Sequence, residues 1–585
     1  MLSNSLPSDT TAEWAPTRGV YSASNMNNPT REEILDILST APPNELSSTN
    51  TLRRQAHDLI AASTTDASAL PDTLVELLTQ VIKPLFTNTK HPALTATGRK
   101  NLVSAQHPLG SSFTRQFSSS DDDREKPWKS TLFTVPLLRY ILASYNHPSG
   151  EPGGPLEEKA KTTIESHFFL LVPPILNLID DSDASYKAAG CSLLRMLCQV
   201  LVAVRSDMLK RTGLGDVFVD ALRANFMLLP PLTPEEDSLA VLTELYPAFL
   251  ALVDARFVNL NGETGVRKDI SVSRSTPSPT PASAQKSAAA GGIREDVQMG
   301  TDVKPHRANA DPPSGTTSTP IPSPTQIPRT EAEEVHIHNP THSIAQSSNH
   351  TSTNSSQPQS KKTTIIPQDA GPEVQKEIHL RLSLLTLLYR HGILRSLHHL
   401  TSSASGSLGT TTSVPITTFL VNQICPVFRR LDIVSVKHLQ SLVPMLRVSL
   451  MDPFLLTSTT TEKDASLSLP LAVLDVLDCI VALCTPRIRD RWYPEILRGV
   501  VACWLNCVDD VLLETTGSGD KSKSKSVGAV AGADATQHLK TVMDRLKSLV
   551  RLLGSGQVVP KAEWESVRNR LVGEEKDLEA LFGSS

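Results

Sequence analysis

From residue 258 to residue 372 the chain has no phenylalanine, tyrosine, tryptophan or cysteine, although leucine-rich sequence lies on both sides. A stretch dense in Ser, Thr, Pro and Gln cannot offset an ordering cost of about 1 to 2 kcal/mol per residue of backbone by burying apolar surface, so it reads as an unfolded insertion. Other absences narrow the chemistry. There is no GxxxxGK[ST] phosphate loop, and Gly213-Leu214-Gly215 lacks the dinucleotide-binding spacing. HExxH, GxSxG and a paired HRD and DFG are missing as well. An ordinary enzyme is disfavoured and no cofactor is expected, although a site assembled from distant residues would escape such a search.

Charge of one sign is also lacking. The net charge is -5 with 20% charged residues, so there is no global basic bias of the kind a nonspecific nucleic-acid binder needs. The most regular basic run, Lys521-Ser522-Lys523-Ser524-Lys525, sits in Gly/Ser/Ala-rich sequence and reads as a solvated loop. Seven cysteines occur (Cys191, Cys198, Cys425, Cys479, Cys484, Cys503 and Cys507), none in a CxxC pair. Cys503 and Cys507 share a helix face at i,i+4, but no further ligand stands at zinc spacing, so reduced core thiols of an intracellular protein are favoured. No basic segment followed by an apolar run opens the chain, and no stretch reads as the roughly 20 apolar residues a bilayer span requires. The expectation is a soluble, cytoplasmic chain, with the nucleus left open and no membrane partner.

What is present is helical. Thr30-Arg31-Glu32-Glu33 forms a candidate capping box ahead of an apolar run, and Thr233-Pro234-Glu235-Glu236 repeats the pattern with Thr at N-cap, Pro at N1 and Glu at N3. Leucines recur at three-or-four-residue steps through 70–86, 164–179 (kinked or restarted at Pro173-Pro174), 184–204 and 235–253. Beyond the insertion, 377–399 places Leu380, Leu384, Leu387, Leu388 and Leu394 toward a core, with Gly392 a dividing point. Helices follow near 416–424, 434–450, 471–484, 494–513, 537–553 and 561–581, and Trp504 is a core residue. Pairs of helices spaced by about 35 to 50 residues predict an all-α, HEAT-like helical-repeat solenoid, with a nonrepeating bundle as the alternative. The expected layout is a flexible tail at 1–29, a helical block at 30–257, the insertion at 258–372, and a second block at 373–585 with loops at 401–414 and 516–533.

Candidate sites are weighed against architecture. Asp180, Asp181 and Asp183 sit between two helices, where a hard cation or acid/base role competes with capping of the next helix by Asp183; no EF-hand ligand pattern accompanies them. Lys187, four residues after Asp183, either pairs with it or faces a partner. His391, His398 and His399 do not establish a zinc site and read as packing or solvent-facing residues, while His336, His338 and His342 in the insertion are at most weak evidence for weak metal affinity. Around Asp490-Arg491-Trp492-Tyr493-Pro494, large contact side chains offer a partner surface, against burial on a neighbouring hairpin. Ser118-Ser119-Ser120 before Asp121-Asp122-Asp123 suits an acid-directed kinase or is a solvated charge run. Thr276-Pro277, Ser278-Pro279, Thr319-Pro320 and Ser323-Pro324 are proline-directed phosphorylation candidates.

The run Val172-Pro173-Pro174-Ile175-Leu176-Asn177-Leu178-Ile179-Asp180-Asp181, continued by Tyr186-Lys187-Ala188-Ala189-Gly190-Cys191-Ser192-Leu193-Leu194, resembles the Tel2-interacting protein 2 (Tti2) family. Gly213 to Thr233 and Arg491-Trp492-Tyr493-Pro494 extend the resemblance, which spans about 130–257 and 373–510. It implies a noncatalytic scaffold that joins Tel2 and Tti1 in a cochaperone assembly. Through Hsp90, that assembly would support maturation of phosphatidylinositol-3-kinase-related kinases of the TOR and DNA-damage-response branches. Asp180, Asp181, Lys187 and Gly190 match the family junction, and Trp492 and Pro494 its C-terminal motif. A HEAT-like transport or general assembly adaptor is the alternative.

Overall fold

Side chains that reach the backbone decide where several helices begin. At α1 (Arg31–Ser39), Thr30 Oγ1 accepts from the Glu33 amide at 3.2 Å and Glu33 Oε2 accepts from the Thr30 amide at 2.7 Å, completing the expected capping box. The computed structural model describes residues 28–41, 45, 47–63, 70–89, 91–101, 126–145, 155–263, 371–401, 406–457, 469–516 and 529–583. Residues 1–27 of the expected tail, 264–370 of the insertion and 517–528 of the late loop lie outside them. So do the Ser118–Asp123 run, Lys521 to Lys525, the three insertion histidines and the four Ser/Thr-Pro pairs. Among the described residues the structure is helical without a strand, apart from isolated bridges at Leu94–Lys100 and Thr401–Thr411.

Before the insertion the main helices are α1, α2 (Ser47–Ala62), α3 (Leu70–Glu76), α4 (Thr134–Ser144), α5 (Pro155–Ile179), α6 (Ala184–Ala203), α7 (Leu214–Ala224) and α8 (Glu235–Arg256). After it come α9 (Pro372–Leu387), α10 (Val414–Asn422), α11 (Ile424–Leu431), α12 (Leu439–Met451), α13 (Leu469–Leu483), α14 (Tyr493–Thr516), α15 (Ala529–Leu553) and α16 (Lys561–Glu574). α6 lies between α5 and α8, burying Leu193, Leu194, Leu197 and Leu201 against Leu242, Leu245, Phe249 and Val253. α8 then packs on α9 and α10, α10 and α11 on α13, α12 on α14, and both α13 and α14 on α15. Stacking of this kind gives every apolar face a neighbour, which is how a helical repeat array acquires a continuous core.

The two leucine-rich blocks belong to one compact unit, 1–266 with 363–585. Tyr246 on α8 meets Phe419 on α10 edge-on at 5.7 Å between centroids, and Ser396 Oγ donates to Phe226 O at 3.4 Å. The ordered backbone also runs further than the aromatic-free interval implied. Val258–Glu263 is helical, with Val258 and Leu260 buried, because small aliphatic side chains suffice to dock one turn against α9. Helix α15 likewise starts at Ala529, inside the expected 516–533 loop, while Leu408–Thr410 forms a 3-10 turn within 401–414.

Other differences have local causes. Thr233 does not cap α8: the helix starts at Glu235 with Pro234 as N-cap and no side-chain cap bond, one residue later than the box requires. Ser238 Oγ instead donates to Pro234 O at 2.9 Å. α5 runs unbroken through Pro173 and Pro174. Each proline deprives a carbonyl four residues back of its donor, and one of these, Phe169 O, is approached by Gly98. Gly98 has φ +77°, and a Cβ there would come within 2.3 Å of Phe169 O, so both conformation and space require glycine. Gly392 does not divide its helix. It lies in a π-helical segment, Leu388–Leu394, where a Cβ would meet Phe226 at 3.3 Å. Leu380 is exposed rather than core-facing, since α9 turns that side to solvent.

Two helices overturn the expectation that no segment has bilayer length and composition. Glu158–Ile179 and Glu235–Arg256, 22 residues each, carry windows of mean hydropathy 1.3 and 1.4, and the pair Leu469–Leu483 and Thr485–Asp510 passes jointly across a 101° bend. In both single helices 61% of the apolar window is buried inside the protein. A helix covered on several sides by neighbours is apolar nearly all round, and length and hydropathy alone do not separate it from a span.

Candidate functional site

The junction between α5 and α6 gathers most of the residues singled out in the sequence. Helix α5 ends as the Asp180 amide donates to Leu176 O at 3.0 Å and the Asp181 amide to Leu178 O at 3.3 Å. Asp181 Oδ1 then accepts from the Asp183 amide at 2.9 Å, turning the chain. Asp183 Oδ1 caps α6 by accepting from the Ser185 amide at 2.8 Å. The capping role read from the sequence is therefore the one Asp183 performs.

Asp181 points inward. It is only 3% exposed and pairs with Lys129 Nζ at 2.9 Å and Lys126 Nζ at 3.8 Å. Lys129 is itself anchored: its carbonyl accepts from Tyr186 Oη at 2.9 Å, and its ammonium lies over the Trp128 and Tyr186 rings. Trp128 stacks on Phe86 at 5.3 Å and donates from Nε1 to Thr89 Oγ1. Asp180, on the exposed side of the turn, contacts His91 Nε2 through Oδ2 at 2.7 Å. The acidic turn is thus a clasp that ties the segments around His91 and Trp128 to the α5–α6 hairpin.

Lys187 does not pair with Asp183. It is buried, and Nζ donates to Asn225 Oδ1 at 3.1 Å and Ile179 O at 3.4 Å. Burial pulls its ammonium below the ordinary lysine range, while Asp180 and Asp181 act in the opposite sense. Gly190 is the contact point of the hairpin: a Cβ there would sit 2.6 Å from Ile179 N and 2.9 Å from Leu178 C. The helices approach backbone to backbone only because that side chain is missing.

At the second candidate, Trp492 is 7% exposed, with the Arg491 guanidinium 4.8 Å above its ring. Tyr493 Oη donates to Glu563 Oε1 on α16, and burial pushes the phenol up to about 12. Asp490 pairs with its neighbour Arg489 at 3.1 Å. Burial thus accounts for Trp492, and Arg491 and Pro494 remain on the surface. Trp504 is buried as expected, its Nε1 donating to Asp577 O at 2.9 Å. Among the described residues no cluster of three or more His, Cys, Asp or Glu is placed to hold a metal. His391, His398 and His399 are exposed, and His399 Nε2 lies 3.1 Å from Pro230 O.

A profile of the Tti2 family matches residues 34–288 and 338–457. The chain belongs to the Tti2 family. Neither a curated protein nor a solved structure matches it. Membership ties the chain to the Tel2–Tti1–Tti2 assembly in general, as a component of a family not known for enzymes. The Tti2 match covers the α5–α6 junction and the α8–α10 packing. It stops before Arg491, so the resemblance at Arg491 to Pro494 lies outside it.

Within this Tti2 chain, the junction residues divide by burial. Asp181, Lys187 and Gly190 build the hairpin from inside, and Asp183 caps it at the surface; Asp180, Arg491 and Pro494 are accessible. Asn225, His91 and Lys129 were missed by sequence reasoning. They lie 38 to 89 residues from the groups they serve, and no periodicity links them to the acidic turn.

Proposed function

We propose that the chain is a noncatalytic scaffold of the Tel2–Tti1–Tti2 complex that supports Hsp90-dependent maturation and stability of phosphatidylinositol-3-kinase-related kinases. The family match over residues 34–288 and 338–457 carries this reading. The described architecture is compatible with it: a stack of paired helices offers long surfaces for holding partners, and the polar groups of the α5–α6 junction are engaged in internal bonds rather than gathered in a cleft. ATP hydrolysis would belong to the chaperone. Asp180, Arg491 and Pro494 are the accessible partner-contact candidates, and a cytoplasmic site of action, with the nucleus open, accompanies the proposal.

Purification of the full chain at native expression level tests it. Stoichiometric recovery of Tel2 and Tti1, with loss of the kinases at constant message level on depletion of the chain, is the expected result. Recovery of transport receptors with neither of those partners would sink it in favour of a transport adaptor.

A further inference from the structure

A cleft of about 570 Å³ opens between α11, α13 and α15, lined by Cys425, Arg429, Asp475, Asp478, Cys479 and Arg545 among others. It brings together two cysteines from different helices, 54 positions apart in sequence (479 minus 425). Cys425 is half-buried at the mouth, and its Sγ donates to Asp475 O at 3.7 Å, the carbonyl one helical turn before Cys479. Cys425, Cys479 and Arg429 all line this one cleft. The backbones of α11 and α13 come within 8 Å Cα to Cα. Cys479 is buried at 8% exposure, and Cys191, Cys198, Cys484, Cys503 and Cys507 more fully, at 1% or less.

We propose that Cys425 and Cys479 are a peroxide-responsive dithiol whose oxidation to a disulfide staples α11 to α13. The inference rests on this cleft and not on the family reading. Cys479 is the attacking group. The neighbouring Cys425 thiol and the Arg429 guanidinium hold its thiol below the usual range, against burial and the Asp478 carboxylate. Asp475 and Asp478 are themselves paired with Arg545 from α15, which limits their repulsion of a thiolate.

The Cys479 thiolate attacks one oxygen of hydrogen peroxide, the O–O bond breaks, and hydroxide leaves, giving a sulfenic acid. The Cys425 sulfur then attacks that sulfur, the S–O bond breaks, and the departing hydroxyl takes the Cys425 proton as water. The hydroxide from the first step takes up the proton released when Cys479 ionised. Two thiols and one peroxide become one disulfide and two waters. The sulfurs lose two electrons and the peroxide oxygens gain them.

The test treats the reduced, full-length chain with hydrogen peroxide, alkylates the remaining thiols after denaturation, and maps the peptides by mass spectrometry. A Cys425–Cys479 cross-linked peptide lacking two hydrogens is expected, with the five core cysteines alkylated. In Cys425→Ser, Cys479 should accumulate as a dimedone-reactive sulfenic acid. Arg429→Gln, with its helical circular dichroism unchanged, should slow cross-linking by about threefold or more. Alkylatable Cys425 and Cys479 after peroxide, a bridge to a core cysteine instead, or an unchanged rate in Arg429→Gln would each overturn the proposal.

Discussion

Arg430 on α11 and Asp254 on α8 form a forked ion pair although 176 residues separate them: Nη2 lies 2.8 Å from Oδ2, and Nε 3.3 Å from both carboxylate oxygens. Lys210 and Glu377 make a second such link. The two blocks are therefore joined through side chains as well as through the intervening sequence, and the helix ending at Glu263 already touches α9.

Deleting residues 265–365 should leave helical circular dichroism and partner copurification substantially intact. Each block keeps its contact surface, and the described helices on either side, Val258–Glu263 and α9, already touch. A collapse of the thermal transition or loss of the complex would mean the excised sequence is an essential element. Arg430→Asp alone should lower stability by about 1 kcal/mol, and Asp254→Arg in the same chain should restore part of it, the modest size following from a pair still about a third open to solvent.

Gly190→Ala should cost several kcal/mol, on the order of 3, because the new methyl group meets the Ile179 backbone rather than a movable side chain. Gly573→Ala is the matched control. Nothing lies within 4 Å of its Cβ position on α16, so a gain of about 0.5 to 1 kcal/mol is expected from helix propensity. Thermal melts of the two variants should move in opposite directions.

Lys187→Met should fold, with stability changed by no more than about 2 kcal/mol. It removes a desolvated charge while leaving the Asn225 amide bonded to Ala221 O and Ile179 O. Lys187→Glu should be far worse, since it would place a carboxylate against the Asn225 and Ile179 oxygens near Asp181. Partner recovery on Lys187→Met beads should match the native chain; a well-folded variant that loses its partners would make Lys187 a contact residue after all.

His438 gives a pH dependence. It is buried against Tyr389, with ring centroids 4.6 Å apart, and burial, with Lys437 and Arg390, lowers its pKa to about 4. Below the ordinary value near 6.5, the unfolded chain takes up a proton that the folded chain refuses. Stability should therefore fall as pH drops from about 6.5 toward 4, by up to about 3 kcal/mol from this group. His438→Gln should flatten that limb in denaturant titrations across the window. An unchanged slope would mean that the imidazole is protonated in the fold.

Helix content was legible because leucine spacing on α6 and α8 reports burial directly, and the Thr30–Glu33 box is a purely local arrangement. Thr233 carries the same motif, yet Pro234 occupies the cap position, and the sequence holds no sign of that one-residue shift. The acidic turn was read correctly at Asp183, whose partner is two residues away, and incorrectly at Lys187, whose partner Asn225 arrives from α7's C-terminal end. Local grammar predicts local bonds; the inward turn of Lys187 depends on a helix 38 residues downstream. Burial of Trp492 was weighed in advance, whereas the sharing of one cleft by Cys425 and Cys479 has no signature in spacing at all.

The contact between Tyr246 and Phe419 also has a consequence in time. At a synthesis rate of about 5 to 20 residues per second, the 176 residues from Asp254 to Arg430 take about 9 to 35 s to emerge. Throughout that interval α8 has left the ribosome, but the aromatic ring and ion-pair partner that close over it have not been made. A nascent chain holding the Phe419 side of Tyr246 uncovered for so long is an aggregation-prone species, so the protein's yield in a cell should depend on how that face is shielded before α10 and α11 arrive.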